Sequence, residues 1–320
     1  MTSSNEISPL AFDTAVAPGG YRWWYLDAIS DDGTQALTLI AFIGSVFSPY
    51  YARARRLHGT AANPNNHCAI NLGLYGNRKG HQWAMTERGA QQLTQQANAL
   101  QIGPSGLHWN GRTLTALVDE ITVPWPARLR GRIELTPSAM VHTPYPLDPA
   151  AQHHWQPMAP NARVVVAFDQ PGLRWQGTGY LDTNWGNRAL EDDFVNWHWS
   201  RAALASGQTA VFYDVTPRTG SQPPLALKFD ASGQARTFKP PPTFSLPASA
   251  WRIGRTTRSD DGNCTRLLKT LEDGPFYARS MVSARVLGQP VTAIHESLSL
   301  NRFSAPWVQA LLPFKMPRRA

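Results

Sequence analysis

Apolar positions along this chain recur at intervals of two or in short unbroken runs, the spacing of strands rather than of long helices. ALTLIAFIGSVF (36–47), HCAINLGLYG (67–76) and ARVVVAFD (162–169) are runs of strand-forming residues. Turn chemistry separates them: SDDG at 30–33, YGNRKG at 75–80, HWNG at 108–111 and the proline-flanked ITVPWPARLRGRIEL. TERGAQQLTQQANALQ (86–101) fits either a helix or a strand and a loop. SPYYARARR (48–56) reads as a solvated loop, with a cover over a barrel mouth as the alternative. Residues 136–160 are rich in Pro and Ala, lack a period and read as a long loop. After residue 188 strand patterns resume in FVNWHWSRAAL, QTAVFYDVTP, PLALKFD, TRLLKTLEDG and SARVLGQPVTAIHESLSL, while the triple proline at 240–242 marks an edge or a loop. The expectation is an all-β chain with little helix, in two domains, 1–188 and 189–320.

A chain of 320 residues has room for one large or two medium cores. It holds no run of about 18 apolar residues, so no membrane-spanning helix is expected. MTSSNEISPLAFD lacks the basic start and apolar run of a secretory signal. Cys68 and Cys264 stand far apart and form no redox or metal motif, which points to a reduced, cytosolic chain. The net charge is +8, but the basic residues are scattered and no nucleic-acid reader motif is present, so nucleic acid is not an expected partner. The tail SAPWVQALLPFKMPRRA combines Trp307, Leu311, Leu312 and Phe314 with Lys315, Arg318 and Arg319 and has no acid. It suits peripheral contact with an anionic membrane surface; a packed C-terminal segment is the plainer reading.

Twelve tryptophans suit a β-rich core, and equally a pocket for a large apolar or cationic partner. In an extended YLDTNW, Tyr180, Asp182 and Asn184 share one face, and Leu181 and Thr183 the other. In YRWWYLDA the same alternation groups Trp23, Tyr25 and Asp27. WHW sets Trp197 and Trp199 together with His198 opposite, and HHW sets His153 beside Trp155 with His154 opposite. A carboxyl group among such rings is either ionised and hydrogen-bonded, tying strands together, or desolvated until it keeps its proton. Both readings stay open for Asp182, whose flanks GTG and NWGN suggest a turn approached closely by backbone or ligand. His153 and His154 diverge on an extended chain and lack a metal-ligand partner set. Glu191, Asp192 and Asp193 read as a solvated turn. No phosphate loop, nucleophile elbow or nicotinamide or flavin fingerprint is present. Cofactor-free chemistry or simple binding is what remains.

Taken together, GGYRWWYLDAISDDG, LTLIAFIGSVFSPYY, GYLDTNWGN, FVNWHWSRA and HESLSLNRFSAPWVQALLPFKMPRR resemble the carotenoid 1,2-hydratases, or hydroxyneurosporene synthases, from about residue 19 to the C-terminus. The resemblance implies two lipocalin-like β-barrel or sandwich domains in tandem, a fold whose relatives include cofactor-free pericyclases. It implies water addition to the terminal double bond of an acyclic carotenoid such as neurosporene or lycopene, without cofactor or metal. It also implies Asp182 as the acid, with Tyr180, His153 and Trp155 as its partners. Trp185, Trp23, Tyr25, Trp197 and Trp199 are then expected to line the substrate, with Trp155, Trp185 and Tyr180 facing a carbocation. His153 is expected to take a proton from water, and only if neutral, since a cationic imidazole beside Asp182 would favour the carboxylate. The expected location is cytoplasmic, peripheral to the inner or photosynthetic membrane. Two other classes compete: a lipocalin-like carrier of an apolar terpenoid, and a pericyclase or isomerase.

Overall fold

A computed structural model of the protein describes residues 9–77 and 80–319. The start of the N-terminal segment and the centre of the YGNRKG turn lie outside the described residues. The strands are β1 (Tyr21–Ser30), β2 (Ala36–Ile43), β3 (Cys68–Asn77), β4 (Gly80–Arg88), β5 (Leu93–Gln96), β6 (Ala99–Ile102), β7 (Ser105–Trp109), β8 (Leu114–Ile121), β9 (Arg128–Pro137), β10 (Tyr145–Pro146), β11 (His153–Gln170) and β12 (Leu173–Gly186). There follow β13 (Phe194–Leu204), β14 (Gln208–Pro217), β15 (Leu225–Phe229), β16 (Ala235–Thr237), β17 (Thr243–Leu246), β18 (Arg255–Arg258), β19 (Arg266–Asp273), β20 (Tyr277–Val286), β21 (Gln289–Ser299) and β22 (Arg318–Arg319). The helices are short: α1 (Pro49–His58), α2 (Leu190–Asp193), α3 (Leu300–Phe303) and α4 (Pro306–Lys315). The fold is therefore all-β with little helix. No helix among the described residues is long and apolar enough to cross a membrane.

The described residues divide into two compact units. One contains the chain through Tyr145, His153–Arg188 and the C-terminal residues from Leu312; the other contains Pro146–Gln152 and Ala189–Leu311. The first unit is built on a sheet of order β22-β4-β3-β2-β1-β12-β11-β9-β8-β7-β6-β5, with β10 off this path. Its neighbours run antiparallel, except that β22 lies parallel to β4. The second has the order β16-β15-β14-β13-β21-β20-β19 and a separate pair, β17 and β18.

One face of the first sheet forms an apolar core from Trp24, Leu26, Leu39, Val164, Phe168 and Leu181, among others. Away from the centre, strands alternate as a half-solvated sheet should: along β8, buried positions alternate with partly or fully exposed ones. At the centre the alternation disappears. All but one of the residues of β1 are buried, and β12 passes from alternation into continuous burial over Gly179–Asn184. Strands buried on both faces must place polar side chains where no bulk water satisfies them.

Three sequence expectations need correction. Residues 49–58 form α1 rather than a loop, because Ser48 caps the amides of Tyr50 and Tyr51 and Pro49 stands in the first turn. The proposed loop 136–160 contains the start of β11, which admits Pro157 and Pro160 through register shifts between Gln156 and Ala159 and between Ala159 and Ala162. The chain around Asp182 is not a turn but the interior of β12. The glycines before it do mark close approach: a Cβ at Gly177 would stand 1.9 Å from the carbonyl oxygen of Ile29. The ambiguous stretch 86–101 resolves into the end of β4, a single 3₁₀ turn and the antiparallel pair β5 and β6.

In the second unit, His295 is fully buried, donates from Nε2 to the Thr256 carbonyl at 2.9 Å and stacks on His198 at 6.0 Å. Burial first, and the neighbouring His198 second, push its pKa down to about 3 from 6.5. The folded chain thus binds fewer protons than the unfolded chain between those two values. Stability should fall as pH drops from about 6.5 towards 3, by about 1.4 kcal/mol per pH unit for one excluded proton. In urea titrations over that range, His295→Gln should show a shallower pH dependence than the wild type, by about one proton.

Candidate active site

The face of the first sheet opposite its apolar core carries a grid of polar and aromatic side chains. Strand register sets the rows. Tyr21 and His153 stand opposite Gly186; Trp23 and Trp155 stand opposite Asn184; Tyr25 stands opposite Asp182; Asp27 stands opposite Tyr180. Gly186 has no side chain, so Tyr21 and His153 meet across it, with the Tyr21 hydroxyl 2.9 Å from His153 Nδ1. The two rings also stack at 5.8 Å, and Tyr21 stacks on Trp23 at 5.0 Å.

Asp182 stands at the centre of this grid and is 4% exposed. Its Oδ2 accepts the Trp155 indole N–H at 2.8 Å and the Tyr180 hydroxyl at 2.9 Å. Tyr180 reaches it as the i−2 residue on the same strand face, and Trp155 reaches it diagonally across the strand pair. The indole N–H is a donor only, so its direction is not in question. With two donors on Oδ2, a proton carried by this carboxyl belongs on Oδ1. Next to it the motif repeats in mirror order: Tyr25 donates to Asp27 Oδ2 at 2.8 Å, and the Tyr25 and Tyr180 rings meet edge to face at 6.2 Å. Two Tyr-x-Asp pairs therefore lie antiparallel on β1 and β12. Burial above all holds the Tyr180 phenol well above its ordinary pKa of 10.0. Tyr180 stays a hydroxyl donor.

Of the residues singled out from sequence, Asp182, Tyr180, Trp155, His153, Trp23 and Tyr25 thus share this face. Trp185 does not. It is one residue out of phase with Asn184, lies opposite His154 and Arg22 in register, and stacks on the His154 ring at 5.1 Å. The Arg22 guanidinium carbon is 5.2 Å from its ring centroid. Its expected place facing a cation beside Tyr180 is therefore corrected by strand alternation. Trp197 and Trp199 belong to β13 in the second unit, where Trp197 packs on Tyr213 at 6.1 Å. Glu191, Asp192 and Asp193 form the short α2 rather than a turn. Two aromatic residues join the face without a sequence expectation. Tyr21 continues the Trp23, Tyr25, Asp27 alternation by one step, a signal that could have found it. Tyr145, whose ring lies 5.7 Å from that of Trp155, stands in aperiodic surroundings that carry no signal.

The family model of the carotenoid hydratase CrtC matches residues 39–320. The chain belongs to that family. An acyclic carotenoid 1,2-hydratase of Thiocapsa roseopersicina is 54% identical over 96% of this chain and 75% of its own length. One of Cereibacter sphaeroides is 42% identical over 88% of this chain and 98% of its own. Among solved structures, a protein of Nitrosomonas europaea assigned as AttH superposes with a TM-score of 0.59 at 16% identity, over 87% of this chain and 92% of that one. CghA superposes at 0.54 and 13% identity, over 93% of each chain. These two likenesses concern the fold, which is lipocalin-like. As a member of the hydratase family the protein is an enzyme, a hydro-lyase, and its chemistry is carotenoid hydration.

Within this hydratase, phenolate absorbance separates Tyr180 from exposed tyrosines. Alkaline titration to pH 10 should give the same absorbance change for wild type and Tyr180→Phe, because the buried phenol does not ionise in that range. An additional phenolate in the wild type by pH 10 would contradict this environment.

Proposed function

We propose that this enzyme adds water across the terminal carbon 1–carbon 2 double bond of acyclic carotenoids such as neurosporene and lycopene, with Asp182 as the acid and no cofactor. The observation that carries the reading is the buried Asp182 carboxyl, with Trp155 and Tyr180 both donating to Oδ2 on an aromatic face. An isolated trisubstituted alkene is a weak base, and only a positioned, protonated acid starts its hydration. The Asp182 proton goes from Oδ1 to carbon 2, and the π electrons that take it leave a tertiary cation at carbon 1. Removing that proton leaves a carboxylate, and the two donors on Oδ2 then strengthen as charge develops. Water attacks carbon 1 and forms the carbon–oxygen bond. His153, held by Tyr21, accepts the proton that water loses, and passing that proton on to Asp182 restores both the neutral imidazole and the acid.

The aromatic rings around the carboxyl hold the cation without offering it a competing nucleophile, at about 0.5–2 kcal/mol for each well-placed ring. Trp155, Trp23, Tyr25 and Tyr180 are the rings on the face of Asp182. A forty-carbon polyene dissolves in lipid rather than water. We therefore place the enzyme in the cytoplasm, working peripherally on the inner or photosynthetic membrane.

The test is conversion of detergent-dispersed lycopene or neurosporene in water labelled with oxygen-18, for wild type and Asp182→Asn. Wild type should give a labelled tertiary alcohol. The amide retains the shape and the acceptor oxygen but has no acidic proton, so the variant should still bind the polyene and lose turnover by at least roughly 100-fold. Labelled alcohol from the variant at the wild-type rate would remove Asp182 from the acid role. An unlabelled isomer as the wild-type product would replace hydration by isomerisation.

A further inference from the structure

Trp125 and Phe314 are the most exposed large apolar side chains among the described residues, at 84% and 80%. They lie far apart in sequence, yet their segments meet on one residue. The loop before Trp125 is tied to β4 by the Val123 amide, which donates to the Trp83 carbonyl at 3.1 Å. The end of α4 reaches the same residue, with Lys315 Nζ 4.4 Å from the Trp83 ring centroid. Trp83 itself is buried.

Neither aromatic is on a slack segment. Thr122 closes the Trp125 loop: its amide donates to the Ala127 carbonyl at 2.8 Å, its hydroxyl donates to the Trp125 carbonyl, and that hydroxyl oxygen accepts the Ala127 amide. Pro124 and Pro126 flank the indole and stiffen the backbone on each side. Ordering of the loop is already complete, so an occupant has little entropy to overcome. On α4, Leu312 and Met316 are buried; with Val308 they form the inward stripe. Trp307, Leu311 and Phe314 follow one another at helical spacing on the outward side, at 44%, 43% and 80% exposure. Leu312 is thus packed inward, unlike its neighbours in the tail.

The charges around these aromatics have one sign. Residues 121–130 contain Arg128 and Arg130 and no acid; residues 306–319 contain Lys315, Arg318 and Arg319 and no acid. Acids that come near meet arginines: Asp119 takes Arg128, Glu87 takes Arg318, Glu120 takes Arg88 and Asp169 takes Arg174. The two segments by themselves carry five basic residues and no acid, so the patch is basic. Rigid exposed aromatics rimmed by cations match the headgroup and acyl boundary of an anionic bilayer, where tryptophan is favoured and basic residues meet lipid phosphate. An unrelated protein surface has no reason to share a location with this enzyme's lipid-dissolved substrate.

We infer that Trp125 and Phe314, on segments joined at Trp83, form the patch by which this enzyme seats on an anionic lipid surface. The inference rests on the proposed carotenoid-hydrating function for its purpose, but its test does not. Wild type and Trp125→Ser/Phe314→Ser are mixed with phosphatidylglycerol-containing vesicles free of carotenoid, and the bound fraction is measured by flotation. Wild type should bind, and the double variant should need roughly tenfold more lipid or above for the same bound fraction, given the apolar area withdrawn. Matching thermal unfolding curves would establish that the variant is folded, as expected for two solvent-facing substitutions. Turnover of detergent-dispersed carotenoid should be equal for both proteins, while turnover of vesicle-borne carotenoid should fall in the variant. Equal vesicle binding by the two proteins would overturn the inference, as would a wild type that ignores the vesicles. Because the flotation arm contains no carotenoid, failure of hydration itself is read separately.

Discussion

Two hydrogen bonds converge on one oxygen of Asp182, and the centre of the first sheet is built around them. Trp155 comes from β11, while Tyr180 and Asp182 come from β12, so the pairing of those two strands must hold the indole nitrogen and the carboxyl at 2.8 Å. A hydrogen bond to a carboxyl in a buried setting is worth about 1.5–3 kcal/mol when the group is charged, and the same group left unmatched costs as much. A slip of β11 by one residue would turn Trp155 onto the apolar core and leave Asp182 without its indole donor. The aromatic packing beside the site, Tyr21 on Trp23 and Tyr25 on Tyr180, makes such a slip costly by filling the face from strand to strand.

This constraint explains why the central strands abandon the alternation that governs the sheet's edges. On β8 a polar residue on the outer face meets water, and nothing further is asked of it. On β1 and β12 both faces are closed, and they divide the labour: Trp24, Leu26 and Leu181 supply the apolar core, while the reverse face carries carboxyls, hydroxyls and an imidazole that bond one another. The buried surroundings also keep Tyr180 a donor by holding its proton. On the proposed reading this polar face supplies the acid that starts alkene hydration, and its burial shields that acid from water.

Much of that face is legible in the amino-acid sequence. A period of two alone groups Tyr180 with Asp182 and Asn184, and Trp23 with Tyr25 and Asp27, and the sheet register sets the two groups side by side. The same rule applied consistently removes Trp185, an odd-numbered neighbour of an even-numbered set, and adds Tyr21. His153 and Trp155 rest on family resemblance, because Pro157 and Pro160 break the periodic signal in a segment that pairs as a strand through two bulges. Helix α1 escapes the hydrophobic pattern despite a legible start, Ser48 followed by Pro49, because its tyrosines and arginines lack a clear apolar stripe. What no local pattern carries is the contact between distant segments. Tyr145 against Trp155, and the meeting of the Trp125 loop with the end of α4 on Trp83, depend on the completed fold.

The protonation of Asp182 is the point on which the proposed chemistry turns, and infrared spectroscopy reads it directly. The measurement is the difference spectrum between wild type and Asp182→Asn at neutral pH without substrate, repeated in a Trp155→Phe background. A carbonyl stretch of a protonated carboxyl should appear in the difference, and it should move to higher frequency when the indole donor is removed from Oδ2. A difference spectrum with carboxylate bands alone would mean that Asp182 rests ionised, and the acid that begins hydration would have to be sought elsewhere.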